Sequence, residues 1–178
     1  MMRPDFDLRT PLLVLGGARS GKSTWAESVI NRLPPPYVYI ATAQAFDDEM
    51  ELRIKQHRER RKDLWETIES PTGLQAVLRS LGGLRKPVLL DCITLWLSNL
   101  LCSAASADAE IAIDVLCDAI EAVDYPLVIV SNEVGGGIVP DNALARKFRD
   151  LSGLANQRLA RICASVFLVT AGLPLRLK

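Results

Sequence analysis

The stretch Gly16-Gly17-Ala18-Arg19-Ser20-Gly21-Lys22-Ser23 matches the phosphate-binding pattern G-x-x-x-x-G-K-[ST]. It follows the apolar run 11–15, which is typical of a buried strand, and precedes a segment with helical periodicity. In that context the glycines let backbone N–H groups turn towards a phosphate, and the helix presents its positive end. The stretch therefore predicts a nucleoside triphosphate site, with Lys22 reaching the outer phosphates and Ser23 ligating Mg²⁺.

Apolar runs rich in Val, Ile and Leu alternate with longer segments of helical period, a pattern typical of a parallel sheet flanked by helices. Strands are predicted at 12–15, 37–41, 88–90, 127–131 and 166–170, with weaker edge strands at 64–69 and 173–177. Helices are predicted at 22–32, 48–61, 72–81, 93–103, 108–122 and 142–164. We therefore expect one α/β domain over residues 1–178, a single-domain P-loop NTPase of the RecA-like kind with a doubly wound, mostly parallel sheet. Its ligands are expected outside the carboxyl ends of the strands.

Composition limits the other classes of function. The 178 residues contain 21 basic and 21 acidic side chains, so no overall field attracts nucleic acid or a membrane surface. The first ten residues are too polar for a signal peptide and no apolar run is long enough to span a bilayer, so we expect a cytoplasmic protein. The four cysteines are scattered without a C-x-x-C pair, which favours small core residues over a metal site or disulfides: Cys92, Cys102, Cys117 and Cys163.

A second candidate element of a nucleotide site is Asp91, which ends the apolar run 87–90 and is expected on a strand neighbouring that of the phosphate loop. A carboxylate at the end of a buried strand beside a phosphate loop is placed to hold Mg²⁺, directly or through water. The alternative is that Asp91 caps the helix that starts at Ile93.

His57 is the single histidine and lies in a basic stretch, where residues 53–62 carry six cations and one acid. At 100° per residue it shares a narrow helical face with Met50 and Ile54, so from the pattern alone a packing role is favoured. The cations are then either a solvated helix face, a nucleic-acid contact or a clamp for a triphosphate. In the last case a neutral imidazole would be a competent nucleophile towards phosphorus.

The third group is the stretch 131–142, which includes Asn132, Glu133 and three consecutive glycines after a predicted strand. Such a loop can approach a ligand closely or move over it. Asn132 and Glu133 would lie near Asp91 if their strands are neighbours. The equally weighted alternative is a long connection whose last polar residues cap the next helix.

Together these segments resemble one family, the bifunctional adenosylcobinamide kinase and adenosylcobinamide-phosphate guanylyltransferase of cobalamin biosynthesis, often called CobU or CobP. The resemblance extends over nearly the whole chain and is carried by several motifs in order: residues 16–23, 39–44, 47–57, 90–94, 132–140, 144–150 and 156–160.

The resemblance implies two reactions on one corrinoid. ATP or GTP first phosphorylates the aminopropanol hydroxyl of adenosylcobinamide. GTP then gives its GMP to a histidine, here His57, and the substrate phosphate takes it to form adenosylcobinamide-GDP. The nucleotide contacts implied in this chain are the phosphate loop together with Ala41, Thr42, Ala43, Arg58, Glu59, Arg60, Arg61, Glu69 and Asp91. Mg²⁺ would be held by Ser23 and Asp91, no nucleic-acid partner is expected, and relatives of this kind assemble as homotrimers.

The chain departs from the commonest family pattern at three places. It has Gln56 before His57 where paired histidines are usual, Arg60-Arg61-Lys62 where Gly-Arg-Pro often follows, and Asp91 where Glu is expected. Two other classes of function remain alternatives: a P-loop small-molecule kinase without the guanylyltransferase step, and a nucleotide-dependent binding or regulatory protein.

Overall fold

The computed structural model describes residues 9–44, 64–103 and 109–178. Its helices are α1 (Lys22–Ile30), α2 (Leu74–Ser80), α3 (Ile93–Cys102), α4 (Ala109–Glu121) and α5 (Ala143–Ile162). Its strands are β1 (Leu12–Gly16), β2 (Tyr37–Ala41), β3 (Trp65–Glu69), β4 (Val88–Asp91), β5 (Leu127–Asn132), β6 (Ser165–Thr170) and β7 (Leu173–Arg176). The helix predicted at 48–61 lies outside the described residues.

The strands form one sheet in the order β3-β2-β4-β5-β1-β6-β7, and every pairing is parallel except that of β6 with β7. The predicted mostly parallel sheet flanked by helices is therefore confirmed. The two weaker strands are also confirmed, and β3 and β7 lie at opposite edges of the sheet. Because the first six strands run the same way, their carboxyl ends meet at one edge.

Both faces of the sheet are covered, which is why the central strands are apolar without alternation. Leu12 and Val14 of β1 point to one face and pack with apolar residues of α1. Leu13 and Leu15 point to the other face, in a cluster with residues of α2, α3, α4 and α5. β1 is therefore buried on both sides, and the loop that follows it starts from a rigid base.

One detail differs from expectation. Cys92, Cys117 and Cys163 are buried as predicted, but Cys102 is exposed in the last turn of α3, so its assignment to the core is wrong. The apolar run 88–102 forms β4 followed by α3, and among the described residues no helix has the length and apolarity needed to cross a bilayer.

Replacing Leu13 by alanine tests the central place of β1. Leu13 is fully buried, so Leu13→Ala should lower the free energy of unfolding by about 2–5 kcal/mol, measured by urea titration. The matched control Leu84→Ala, at a side chain that is 53% exposed, should change it by less than about 0.5 kcal/mol. Equal losses in the two variants would contradict this packing.

Candidate functional site

The predicted strand–loop–helix context of residues 16–23 is confirmed, since the loop joins the end of β1 to the start of α1. Two neighbouring segments brace it through backbone hydrogen bonds. Glu133 N–H donates to the Gly16 carbonyl at 3.0 Å, and Gly172 N–H, in the β6–β7 turn, donates to the Ser20 carbonyl at 2.8 Å. The loop is therefore held from β5 on one side and from β6–β7 on the other.

Glycine is needed at two positions of this loop for different reasons. A Cβ on Gly16 would lie 2.6 Å from the Val169 carbonyl oxygen, so the backbone of β6 leaves no space for a side chain. Gly21 has a φ of +91°, which L side chains rarely adopt, and a Cβ there would approach the Gly172 Cα to 3.2 Å. Gly17, which occupies a variable position of the pattern, has open space around it, so the adjacent glycines Gly16 and Gly17 are not equivalent.

Several polar groups of the loop are placed to meet phosphate oxygens. Gly21 is the N-cap of α1 and supplies no side-chain cap, so the first N–H groups of the helix are directed towards the loop. The Lys22 ammonium curves back to donate to the Gly17 carbonyl at 3.1 Å. The Ser20 hydroxyl is buried and has no hydrogen-bond partner among the described residues. Loop and helix together form a cationic, donor-rich concavity suited to a phosphate chain.

The strand register aligns three of the candidate residues in one row. Ala41, at the end of β2, lies opposite Glu69 of β3 on one side and opposite Asp91 of β4 on the other. The expectation that Asp91 lies on a strand neighbouring the phosphate-loop strand is wrong, because β5 separates β4 from β1. Two strand spacings, about 10 Å, therefore separate the axes of β4 and β1. β5 does neighbour β4, as the placement of Asn132 and Glu133 near Asp91 required.

Electrostatics nevertheless connect Asp91 with the loop. Burial, and then the Asp91 charge, raise the pKa of the Cys92 thiol to about 11, while the Lys22 ammonium acts in the opposite direction. Both charges therefore lie close enough to act on the same buried thiol. Because that thiol stays protonated at neutral pH, Cys92 is a poor nucleophile.

Thr42 is fully buried, and its hydroxyl connects the ends of β2 and β4. It accepts from the Cys92 N–H and donates to the Cys92 carbonyl, both at 2.8 Å. The Asn99 amide on α3 donates to the Thr42 carbonyl at 2.8 Å, so that carbonyl is also paired. Thr42 thus fixes the backbone beside Asp91, while Ala43 follows it half-buried.

A second part of this polar network was not expected from the sequence. The Thr94 hydroxyl accepts from the Asn132 amide at 2.7 Å and from the Asn132 N–H at 3.0 Å. Asn156 on α5 accepts from the Ser131 hydroxyl at 2.7 Å and donates to the Asn132 carbonyl at 3.1 Å. The sequence did contain one indication of this network. Asn156 is a polar residue on the apolar face of the predicted helix, between Ala155 and Leu159, and that face is buried in α5.

The stretch 131–142 leads from the end of β5 to the start of α5, and the structure tests the capping alternative given for it. Asn142 is the N-cap of α5 and accepts from the Ala145 N–H at 3.0 Å, so the capping role is confirmed. Further back, Arg149 donates to the Gly135 carbonyl at 2.6 Å, and Arg146 donates to the carbonyl of Pro140. By contrast, Cys92 and not Asp91 is the N-cap of α3, so the capping alternative for Asp91 is wrong.

His57 and the basic residues around it, Arg58, Glu59, Arg60 and Arg61, lie outside the described residues. The segment 45–63 that contains them leaves the described structure after Gln44, next to the end of β2, and rejoins it at Leu64 before β3. Within 9–44, 64–103 and 109–178, no cluster of three or more His, Cys, Asp or Glu side chains could hold a metal ion.

Comparison with known proteins gives a coherent result. A family model described as cobinamide kinase / cobinamide phosphate guanyltransferase matches residues 12–177. The bifunctional adenosylcobalamin biosynthesis protein CobP of Pseudomonas aeruginosa is 42% identical over 166 residues, which are 93% of this chain and 96% of that protein. The bifunctional adenosylcobalamin biosynthesis protein CobU of Salmonella typhimurium is 41% identical over 94% of this chain and 99% of that protein.

Solved structures support the fold at much lower identity. A Pyrococcus horikoshii protein, PH0250, matches 94% of this chain and 85% of its own with a TM-score of 0.54 at 11% identity. An ATPase from a bacterial type III secretion system matches 89% of this chain and 50% of its own with a TM-score of 0.53 at 13% identity. These likenesses bear on the fold alone.

The glycine pair provides the first test of this site. Gly16→Ala should weaken ATP binding in calorimetric titration and destabilise the protein by about 1–3 kcal/mol, because its methyl group overlaps the Val169 carbonyl. Gly17→Ala, in the same loop with open space around it, should keep stability within about 0.5 kcal/mol of wild type. If both variants behave alike, the close approach at Gly16 does not govern the loop.

Thr42→Val tests the brace beside Asp91. The change keeps the shape but leaves the buried Cys92 N–H without its acceptor, at an expected cost of about 1–3 kcal/mol in urea unfolding. Thr170→Val, at an exposed threonine of β6, is the control and should be nearly neutral. A neutral Thr42→Val would show that this hydroxyl is dispensable.

Proposed function

The chain belongs to the cobinamide kinase / cobinamide phosphate guanyltransferase family and is an enzyme of adenosylcobalamin biosynthesis with both activities, and we propose how its residues divide the two reactions. The observation that carries the proposal is the braced phosphate loop on β1, which shares one sheet edge with Asp91 and with the β2 end that leads to His57.

In the kinase step the loop holds ATP or GTP while the aminopropanol hydroxyl of adenosylcobinamide attacks the γ-phosphorus. The N–H groups at the start of α1 donate hydrogen bonds to phosphate oxygens. The Lys22 ammonium moves from the Gly17 carbonyl to the outer phosphates. These donors stabilise the charge that develops on the transferred group and on the leaving diphosphate.

The residues present fit a magnesium ion. The Ser23 hydroxyl at the start of α1 and the Asp91 carboxylate are hard oxygen donors, and Mg²⁺ in nucleotide sites is held by one or two such groups together with phosphate oxygens. Bound there, the ion would neutralise charge on the outer phosphates of the nucleotide.

In the transfer step His57 acts as the nucleophile. Its neutral imidazole attacks the α-phosphorus of GTP, the bond to the bridging oxygen breaks, and pyrophosphate leaves with the electron pair. The phosphate of adenosylcobinamide phosphate then attacks the guanylyl-histidine, which gives adenosylcobinamide-GDP and restores the imidazole. Arg58, Arg60 and Arg61 are assigned to the departing pyrophosphate.

The described residues contribute to this second step from the β2–β3 side of the sheet. Ala41, Ala43 and Glu69 are assigned to the guanine nucleotide, because they lie at or just after the carboxyl ends of β2 and β3, the edge at which β2 continues towards the segment 45–63. Glu59 is assigned to the same nucleotide. Burial raises the pKa values of Cys92 and Cys117 to about 11, which disfavours either thiol as a rival nucleophile.

By analogy with the family, the protein is expected to be a homotrimer. Light scattering after gel filtration measures the mass of the assembly and so tests this expectation.

Labelling with α-³²P-GTP tests the division of roles. Wild type should acquire an acid-labile, base-stable protein label, and His57→Ala should lose it while retaining more of the kinase step than of the transfer. Lys22→Ala should impair both reactions, because the loop serves both nucleotides. Lys86→Ala, which removes only a surface ion pair with Glu66, is the matched control and should leave both intact.

Two results would count against this division. An active wild type without a covalent label would favour the runner-up, a P-loop small-molecule kinase with no guanylyltransferase step. Equal loss of both reactions in His57→Ala would contradict separate roles for the loop and the histidine.

A further inference from the structure

Glu133 lies at the point where β5 meets the phosphate loop. Asn132, the residue before it, pairs with Gly16 across the parallel β1–β5 ladder. The Glu133 N–H then donates to the Gly16 carbonyl at 3.0 Å. The backbone of Glu133 is therefore fixed to the first residue of the loop that would hold the triphosphate. The Glu133 side chain is exposed at the carboxyl edge of the sheet.

The carboxylate of Glu133 is oriented by the glycine loop that follows. Its Oε1 accepts from the Gly135 N–H at 2.7 Å, and Arg149 holds the Gly135 carbonyl at 2.6 Å. Within the described part of the chain, no donor bonds to Oε2. One carboxylate oxygen is thus held by a hydrogen bond and the other stays available on an exposed side chain, an arrangement that suits a preorganised proton acceptor.

The other carboxylates at this edge are less well placed for the same task. Asp91 is two strands from β1 and is assigned to magnesium, and Glu69 is at the far edge, with β2, β4 and β5 between its strand and β1. Glu133 directly follows β5, which is the strand beside β1. An alcohol that attacks a γ-phosphate in this loop needs a nearby base, as the aspartate of protein kinases illustrates.

We propose that Glu133 is the general base of the kinase step, an assignment that rests on the proposed function. The Glu133 carboxylate accepts the proton of the aminopropanol hydroxyl as that oxygen forms its bond to the γ-phosphorus. The bond between the γ-phosphorus and the β–γ bridging oxygen breaks, and the electron pair leaves with the nucleoside diphosphate. The protonated carboxyl group then returns its proton to solvent.

Glu133→Gln tests this role because it keeps the backbone N–H that binds Gly16 and removes only the basicity. The kinase kcat should fall by about 10²–10⁴-fold, and the acidic limb of its pH profile should disappear. Covalent labelling by α-³²P-GTP should stay at the wild-type level, since no alcohol is deprotonated in that step. Asp141→Asn, an exposed carboxylate in the same loop, is the control and should retain kinase activity. Glu133→Asp, which keeps the carboxylate but shortens the side chain, should retain the acidic limb at a reduced rate.

A glycine pair tests the aiming of the carboxylate. A Cβ on Gly135 would lie 2.9 Å from Glu133 Oε1, so Gly135→Ala should displace the carboxylate and reduce kinase kcat by about 10-fold or more. Gly136→Ala meets nothing within 4 Å and should leave kcat unchanged.

Three outcomes would overturn the proposal. The first is Glu133→Gln with a kinase rate near wild type or with its acidic limb intact. The second is a proportional loss of kinase rate and covalent label, which would place Glu133 in nucleotide binding. The third is a wild type that accepts the GMP label but never phosphorylates adenosylcobinamide. A wild type that neither labels nor phosphorylates overturns the proposed function itself.

Discussion

Parallel pairing of the first six strands is the constraint on which the rest of this structure depends. Because those strands run in one direction, their carboxyl ends lie along one edge of the sheet. Residues as far apart in sequence as Gly16, Glu69, Asp91 and Glu133 therefore share that edge. If β4 ran the other way, Asp91 would lie at the opposite edge and could take no part in a site with the phosphate loop.

Where the strands end, polar backbone groups are left without partners in the sheet although both faces of the sheet are covered. The buried polar network supplies hydrogen-bond partners for these groups. Thr42, Thr94 and Asn156 are each at most 6% exposed. Each forms hydrogen bonds with residues at or just after the ends of β4 and β5. An unpaired buried group would cost about 1–3 kcal/mol. These side chains therefore hold the site's geometry, and the groups left to meet ligands are those with unused oxygens or N–H groups, such as Ser20 and Glu133.

The sequence predicted the elements well because each has a local cause. Residues 12–15 are apolar and are followed by a glycine loop, and Asn142 stands where a helix cap was expected. Strand order has no such local signal, which is why Asp91 was placed one strand too close to β1. The contact of Gly172 with the loop depends on a turn about 150 residues away in sequence, and hydrophobic periodicity carries no information on it. The role of His57 came from a resemblance to a family, and it stays a prediction.

The kinase step and the transfer step use different groups at the same edge of the sheet, and these groups belong to different parts of the chain. The proposed kinase base is connected to the loop by the hydrogen bond from the Glu133 N–H to the Gly16 carbonyl. The base and the phosphate-binding groups of the loop therefore keep a fixed position relative to each other. His57, the proposed nucleophile of the transfer step, belongs to the segment 45–63, which follows β2 and precedes β3 in the chain, and both of these strands lie on the side of β4 away from β1. Asp91 ends β4, which lies between β2 and β5, and its proposed magnesium ion would serve the nucleotide of either step.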